Sequence, residues 1–212
     1  GRVVGLEFHS LVELKDGSLL ANNGQRSTDG GLTWSEPRSF GEGIEGTGLI
    51  RLQSGRLALT GNTICFSEDE GKTWGDPSFI FRTNPKGPDD FQAEPRFSEM
   101  DIVQLPSGSL LAFSRCESYG QGGGGTGATE AAVSVDNGRS WRKTGASLLA
   151  VSQQTGLALP DGGVALAYRS TSWQMPGVAI SYDEGRSFSY LLGGPYDTSC
   201  AFVTAKGEFV FF

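Results

Sequence analysis

Apolar and polar positions alternate along this chain in short runs. The run Leu11-Val12-Glu13-Leu14 gives way to the polar Lys15-Asp16-Gly17, and then to Ser18-Leu19-Leu20-Ala21. An apolar strand, a turn closing on glycine and a second apolar strand make a β-hairpin. The arrangement recurs around Gly55 (Leu49 to Leu59), Gly108 (Ile102 to Phe113), Gly162 (Leu157 to Ala167) and Gly207 (Phe202 to Phe212). No stretch carries the helical i, i+3, i+4, i+7 pattern over three turns, so the expected class is all-β.

Each of the first four hairpins leads into an eight-residue phrase of the form S-x-D-x-G-x-[TS]-[WF]. The copies run from Ser27 to Trp34, Ser67 to Trp74, Ser134 to Trp141 and Ser181 to Phe188. A β-type run such as Thr63-Ile64-Cys65-Phe66 enters the phrase, and the aromatic residue is expected to start the strand that leaves it. The aspartate accepts bonds from turn N–H groups, glycine supplies a backbone conformation other residues resist, and the hydroxyls bond locally. Asp29, Asp69, Asp136 and Asp183 are therefore read as structural.

Hairpin and phrase together repeat at intervals of about 38 to 54 residues, the range of propeller blades. One unit reads as strand A, tight turn, strand B, loop, strand C, aspartate turn, strand D. Such a blade buries both faces only by stacking on its neighbours. The fifth unit has strands A and B alone, and Val3-Val4-Gly5-Leu6 is placed to add an outer strand to it. The expectation is one domain over 1–212, a five-bladed β-propeller closed by the N-terminal strand. The alternative is a six-bladed propeller lacking part of a blade. Alternating strand direction puts the A–B turns and the aspartate turns at one end, the bottom. The long connections 82–98 and 116–130 fall at the other end, the top, beside the third blade. Long loops over a rigid scaffold are where ligands bind, although the glycine run within 120–127 also fits a linker.

Composition sharpens this picture. Glycine numbers 32 of 212 residues, about twice the usual share, and it punctuates the chain at turns. The net charge of −7 and the lack of a basic patch disfavour nucleic acid as a partner. No apolar run is long enough to span a bilayer. Cys65, Cys116 and Cys200 lack motif spacing and are read as buried thiols, and a single histidine, His9, argues against a histidine metal centre. No signal peptide is present, and an opening glycine in place of methionine suggests a processed or excised piece.

The four phrases resemble the Asp-boxes, or BNR repeats, of sialidases and related propellers. Ser98-Glu99-Met100-Asp101-Ile102-Val103-Gln104-Leu105 through Ser114-Arg115 is similar to the sialidase stretch in which a glutamate opens an inner strand and an arginine closes the next. The resemblance implies that Glu99 acts as base on a catalytic tyrosine and that Arg115 grips a substrate carboxylate, a task suited to guanidinium. Gly193-Gly194-Pro195-Tyr196-Asp197-Thr198-Ser199 looks like the stretch bearing the nucleophilic tyrosine, which makes Tyr196 the candidate nucleophile. Arg169 stands as far from Gly162 as Arg115 does from Gly108, and Gln153 sits where Glu99 does, so Arg169 is a second candidate carboxylate-binding group.

Three departures from the family stand beside this. Glu7-Phe8-His9 occupies the place of an Arg-Ile-Pro stretch. The loop Ala21-Asn22-Asn23-Gly24-Gln25 is too short for the family's acid/base aspartate. Trp173-Gln174-Met175-Pro176-Gly177 has no arginine where a third could stand. Asp89, Asp90 and Glu94 are the candidate replacement acids. The implied function is a sialidase-like glycoside hydrolase, retaining, acting on a terminal acidic sugar of a glycoconjugate, without metal or organic cofactor. Its implied location is secreted or periplasmic. The alternatives are a non-catalytic propeller binding glycan or protein on its top face, and a glycosidase or polysaccharide-cleaving relative acting on another acidic sugar.

Overall fold

The computed structural model describes residues 10–41, 48–61, 63–81, 96–117, 128–148, 151–170, 176–192, 201–203 and 209–211. Every regular element among them is a strand, and every pairing is antiparallel. No helix among the described residues is long and apolar enough to cross a membrane. The chain forms two compact units, Gly1–Phe79 and Ile80–Phe212.

The first unit holds two sheets. One runs β1 (Leu11–Glu13), β2 (Leu19–Ala21), β3 (Arg26–Ser27). The other runs β4 (Gly48–Arg51), β5 (Leu57–Thr60), β6 (Thr63–Ser67), β7 (Ser78–Phe79). The predicted hairpins form with Val12 opposite Leu20 and Ile50 opposite Ala58. Their turns are built alike. Leu14 N–H donates to Ser18 O and Gly17 N–H to Leu14 O, as Leu52 N–H does to Arg56 O and Gly55 N–H to Leu52 O. The glycines sit at φ 80° and 86°, where a side chain is strained. Val12, Leu14 and Leu20 pack on Leu49, Leu57, Leu59 and Cys65 to make the core. Burial pushes the Cys65 thiol up to about 11, so it is an inert core thiol as expected. The Cys116 side chain and Cys200 lie outside the described residues.

The second unit holds two four-stranded sheets and a hairpin. The sheets are β8 (Arg96–Gln104), β9 (Leu110–Glu117), β10 (Ala128–Ser134), β11 (Arg142–Leu148) and β12 (Val151–Ala158), β13 (Val164–Ser170), β14 (Pro176–Ser181), β15 (Ser189–Leu192). The hairpin is β16 (Ala201–Val203) with β17 (Phe209–Phe211). Val103, Leu111 and Phe113 of one sheet meet Val164, Leu166 and Tyr168 of the next. The second strands, from Leu57 to Thr60 and from Leu110 to Ser114, are buried at every position. A strand covered on both faces reads as an unbroken apolar run, which is why these segments show no alternation.

The four aspartate phrases fold into one repeated turn. In each, the serine hydroxyl donates to the aspartate Oδ1 at 2.8–2.9 Å and accepts the glycine N–H at 2.8–2.9 Å. The Thr or Ser four residues past the aspartate donates its N–H to Oδ1 and its hydroxyl to Oδ2. The residue before the glycine is left-handed too: Gly30 at φ 74°, Glu70 at 62°, Asn137 at 58° and Glu184 at 57°. The hydroxyl and N–H donors draw all four aspartates down to about 2. Their structural reading holds.

The D strands depart from expectation. The aromatic residue of the phrase does not start them. β11 and β15 begin one residue after Trp141 and Phe188, β7 begins four residues after Trp74, and among the described residues no fourth strand after Trp34 joins β3. Proline explains the difference. The first rung forms in both sheets of the first unit, Ser35 N–H to Arg26 O and Gly75 N–H to Phe66 O. Pro37 and Pro77 then deny the ladder a donor, whereas no proline follows Trp141 or Phe188 so closely. The closing strand Val3 to Leu6 lies outside the described residues.

Candidate functional site

At the ends away from the glycine turns, the hairpins β8–β9 and β12–β13 each carry one extra residue in the first strand. Ser98 pairs with Arg115 and Asp101 with Phe113, so Glu99 and Met100 together stand opposite Ser114. Ser152 pairs with Arg169 and Thr155 with Ala167, so Gln153 and Gln154 together stand opposite Tyr168. These are matching β-bulges, which re-aim side chains and cluster beside functional sites.

The register settles the backbone positions of three sequence-predicted residues. Glu99 lies in the bulge of β8, one rung from Arg115, at the same end of one hairpin. Arg169 occupies in its hairpin the rung that Arg115 occupies in its own, and Gln153 takes the place of Glu99. Arg115 is half-buried. The side chains of Glu99, Gln153 and Arg169 lie outside the described residues, as do Asp89, Asp90, Glu94 and Tyr196 entirely.

A residue that the sequence reading passed over stands just below both bulges. Asp101 Oδ2 accepts the Gly156 N–H at 2.6 Å, across from β8 to β12, and Oδ1 accepts the Ile102 N–H at 2.9 Å. Burial opposes the charge and outweighs both N–H bonds, pushing the carboxyl up to about 6. Gly156 is held in turn by its surroundings. A Cβ there would collide with Val103 Cγ2 and lie 3.4 Å from the Phe113 ring. A lone glycine inside a strand-like run was the available signal, since it marks a bulge or a close approach.

The segment after β2 closes tightly. Gly24 N–H donates to Ala21 O, Ala21 N–H to Gln25 O, and Gln25 N–H to Asn23 Oδ1. It carries amides and no carboxylate, as its composition requires.

A protein of unknown function from Dyadobacter fermentans is similar at 22% identity with a TM-score of 0.58, over 89% of this chain and 66% of that one. A Hadza microbial sialidase is similar at 16% identity with a TM-score of 0.59, over 88% of this chain and 46% of that one. The endo-arabinase from Bacteroides thetaiotaomicron gives 14% identity and a TM-score of 0.60, over 98% of this chain and 89% of that one. This chain thus spans just under two thirds of the first and under half of the second. A search of curated protein sequences gives no significant match. Residues 17–193 match the BNR repeat-like domain. The chain therefore belongs to the BNR repeat-like domain family, and its all-β fold is similar to that of the microbial sialidase.

Proposed function

We propose that this protein is a sialidase-like glycoside hydrolase that removes a terminal acidic sugar with retention. The observation that supports it best is the register at the bulges. Glu99 and Arg115 stand one rung apart at one end of a hairpin, and Arg169 repeats the rung of Arg115 in the next. In this reading Arg115 and Arg169 bind the sugar carboxylate through charge-assisted, bidentate bonds. Tyr196 attacks the anomeric carbon, and Glu99 takes the phenolic proton, which ordinarily leaves only near pH 10. A neutral phenol suits an anomeric centre that already bears a carboxylate, because an anionic nucleophile there would be repelled. As the tyrosyl ketoside forms, the bond to the aglycone oxygen breaks and the aglycone takes a proton from solvent; water then cleaves the tyrosyl ketoside, and the phenolic oxygen recovers its proton from Glu99. The repeat extends the reading to one five-bladed propeller domain over 1–212, with the site on the top face.

The test is release of a fluorogenic aglycone from an α-sialoside by the wild type and by Tyr196→Phe. A loss of about a hundredfold or more in the variant supports nucleophile and activity together. Equal rates discard Tyr196. Absence of turnover by the folded wild type discards the sialidase reading.

A second reading, a propeller that binds glycan without cleaving it, draws on the segment after β2, which carries no acid, and on Glu7-Phe8-His9 in place of an arginine. A glycan array on which the protein binds acidic sugars that it does not hydrolyse would favour it. Turnover of another acidic glycoside in the same panel would instead keep a glycosidase and change the sugar.

A further inference from the structure

We infer that Asp101 is a positioning residue that locks the two bulged inner strands, β8 and β12, in register beneath the candidate site. The inference deepens the proposed function and rests on it for the identity of the reaction, though the clamp itself does not. Three observations carry it. The Asp101 carboxylate reaches from β8 to the Gly156 N–H of β12 at 2.6 Å, a bond between strands 55 residues apart in sequence. It lies next to both irregularities, since Asp101 is the first regular pair below the β8 bulge and Gly156 follows Thr155, its counterpart in β12. Gly156 lies in close approach to the neighbouring sheet, because Val103 and Phe113 leave no room for even a methyl group there.

The clamp has a physical purpose. A bulge leaves residues outside the ladder, so Glu99 and Gln153 lack the rung that fixes an ordinary strand residue. β12 pairs with β13 on one side, and a bond from Asp101 ties its other side to β8. A displacement of about 1 Å at a reacting group costs roughly a hundredfold in rate. The carboxyl is held in its half-buried place although desolvation disfavours its charge. A costly polar contact beside a site is the pattern expected where geometry matters more than stability.

The test compares Asp101→Ala and Asp101→Asn with the wild type. Asparagine keeps an oxygen for the Gly156 N–H, and it guards against a variant that fails to fold. By hydrogen exchange, Asp101→Ala should lose protection across 96–101 and 151–156, the alanine more than the asparagine, with 181–188 unchanged. With the fluorogenic α-sialoside, Asp101→Ala should lower kcat by about ten- to a hundredfold at nearly constant KM, and Asp101→Asn should recover most of the loss. Unchanged exchange at 151–156 overturns the clamp. Lost protection with unchanged kcat overturns the positioning role. Should the wild type turn over no sialoside, the sialidase reading fails by itself. Hydrogen exchange then decides the clamp alone.

Discussion

At the glycine-turn end of the sheets, Asp29, Asp69, Asp136 and Asp183 collect bonds from hydroxyls and N–H groups and are drawn down to about 2. On strand β8, Asp101 collects two N–H bonds and is pushed up to about 6. Donors surround the carboxyl in both places, so hydrogen bonding does not separate them. Water does. The turn aspartates keep their solvent and gain donors, whereas Asp101 loses solvent faster than two donors replace it.

The signs of the linkage follow. A carboxyl lowered by folding contributes stability that is present above its unfolded value of 3.8 and is lost as the pH falls toward 2. A carboxyl raised by folding favours the native state in its protonated form. Its contribution therefore falls as the pH rises from 3.8 to about 6, and is flat beyond. The four turns strengthen the fold at neutral pH, and Asp101 weakens it. The first effect recurs with a repeat; the second belongs to one place.

Four substitutions test this contrast. The largest effect should come from the apolar seam beside Gly156. Phe113 is fully buried and meets Phe188 edge-on at 6.0 Å, so Phe113→Ala should cost about 4 kcal/mol in denaturant unfolding. Next is Asp101→Asn. Between pH 4 and pH 6 the wild type should lose up to roughly 3 kcal/mol that the variant keeps, read as melting curves converging or crossing with pH. A parallel pH dependence would mean that Asp101 does not titrate there. Asp136→Ala should lower the melting temperature at pH 7 by about 5 °C, with the difference shrinking as the pH falls toward 2. The smallest effect is at the edge. Pro77→Thr restores an N–H donor next to β7 and should slow amide exchange at Ser78 and Phe79 without a measurable change in melting.

How much the sequence disclosed depended on how local each feature is. The glycine hairpins and aspartate turns close within eight residues or fewer, so their chemistry lies on the page in order, and they form as read. The equivalence of Arg115 and Arg169 was legible because both are counted from a turn glycine along a regular strand. The D strands of the first unit are short or missing among the described residues because prolines three residues past Trp34 and Trp74 decide the ladder, whereas β11 and β15 form one residue past their aromatics. The bulges and the Asp101–Gly156 bond were not legible. They depend on what lies across the sheet or on the neighbouring sheet, at a sequence distance that no local pattern encodes.

The most direct test of the division between a structural end and a working end is a paired one. Turnover of an acidic-sugar glycoside per folded molecule, together with melting temperature, is measured for Asp136→Ala and Arg115→Lys. The account predicts that Asp136→Ala melts earlier yet turns over like the wild type, and that Arg115→Lys melts normally yet loses about tenfold or more in kcat/KM. A turn variant that abolishes turnover while still folded, or an Arg115→Lys variant as active as the wild type, would contradict it.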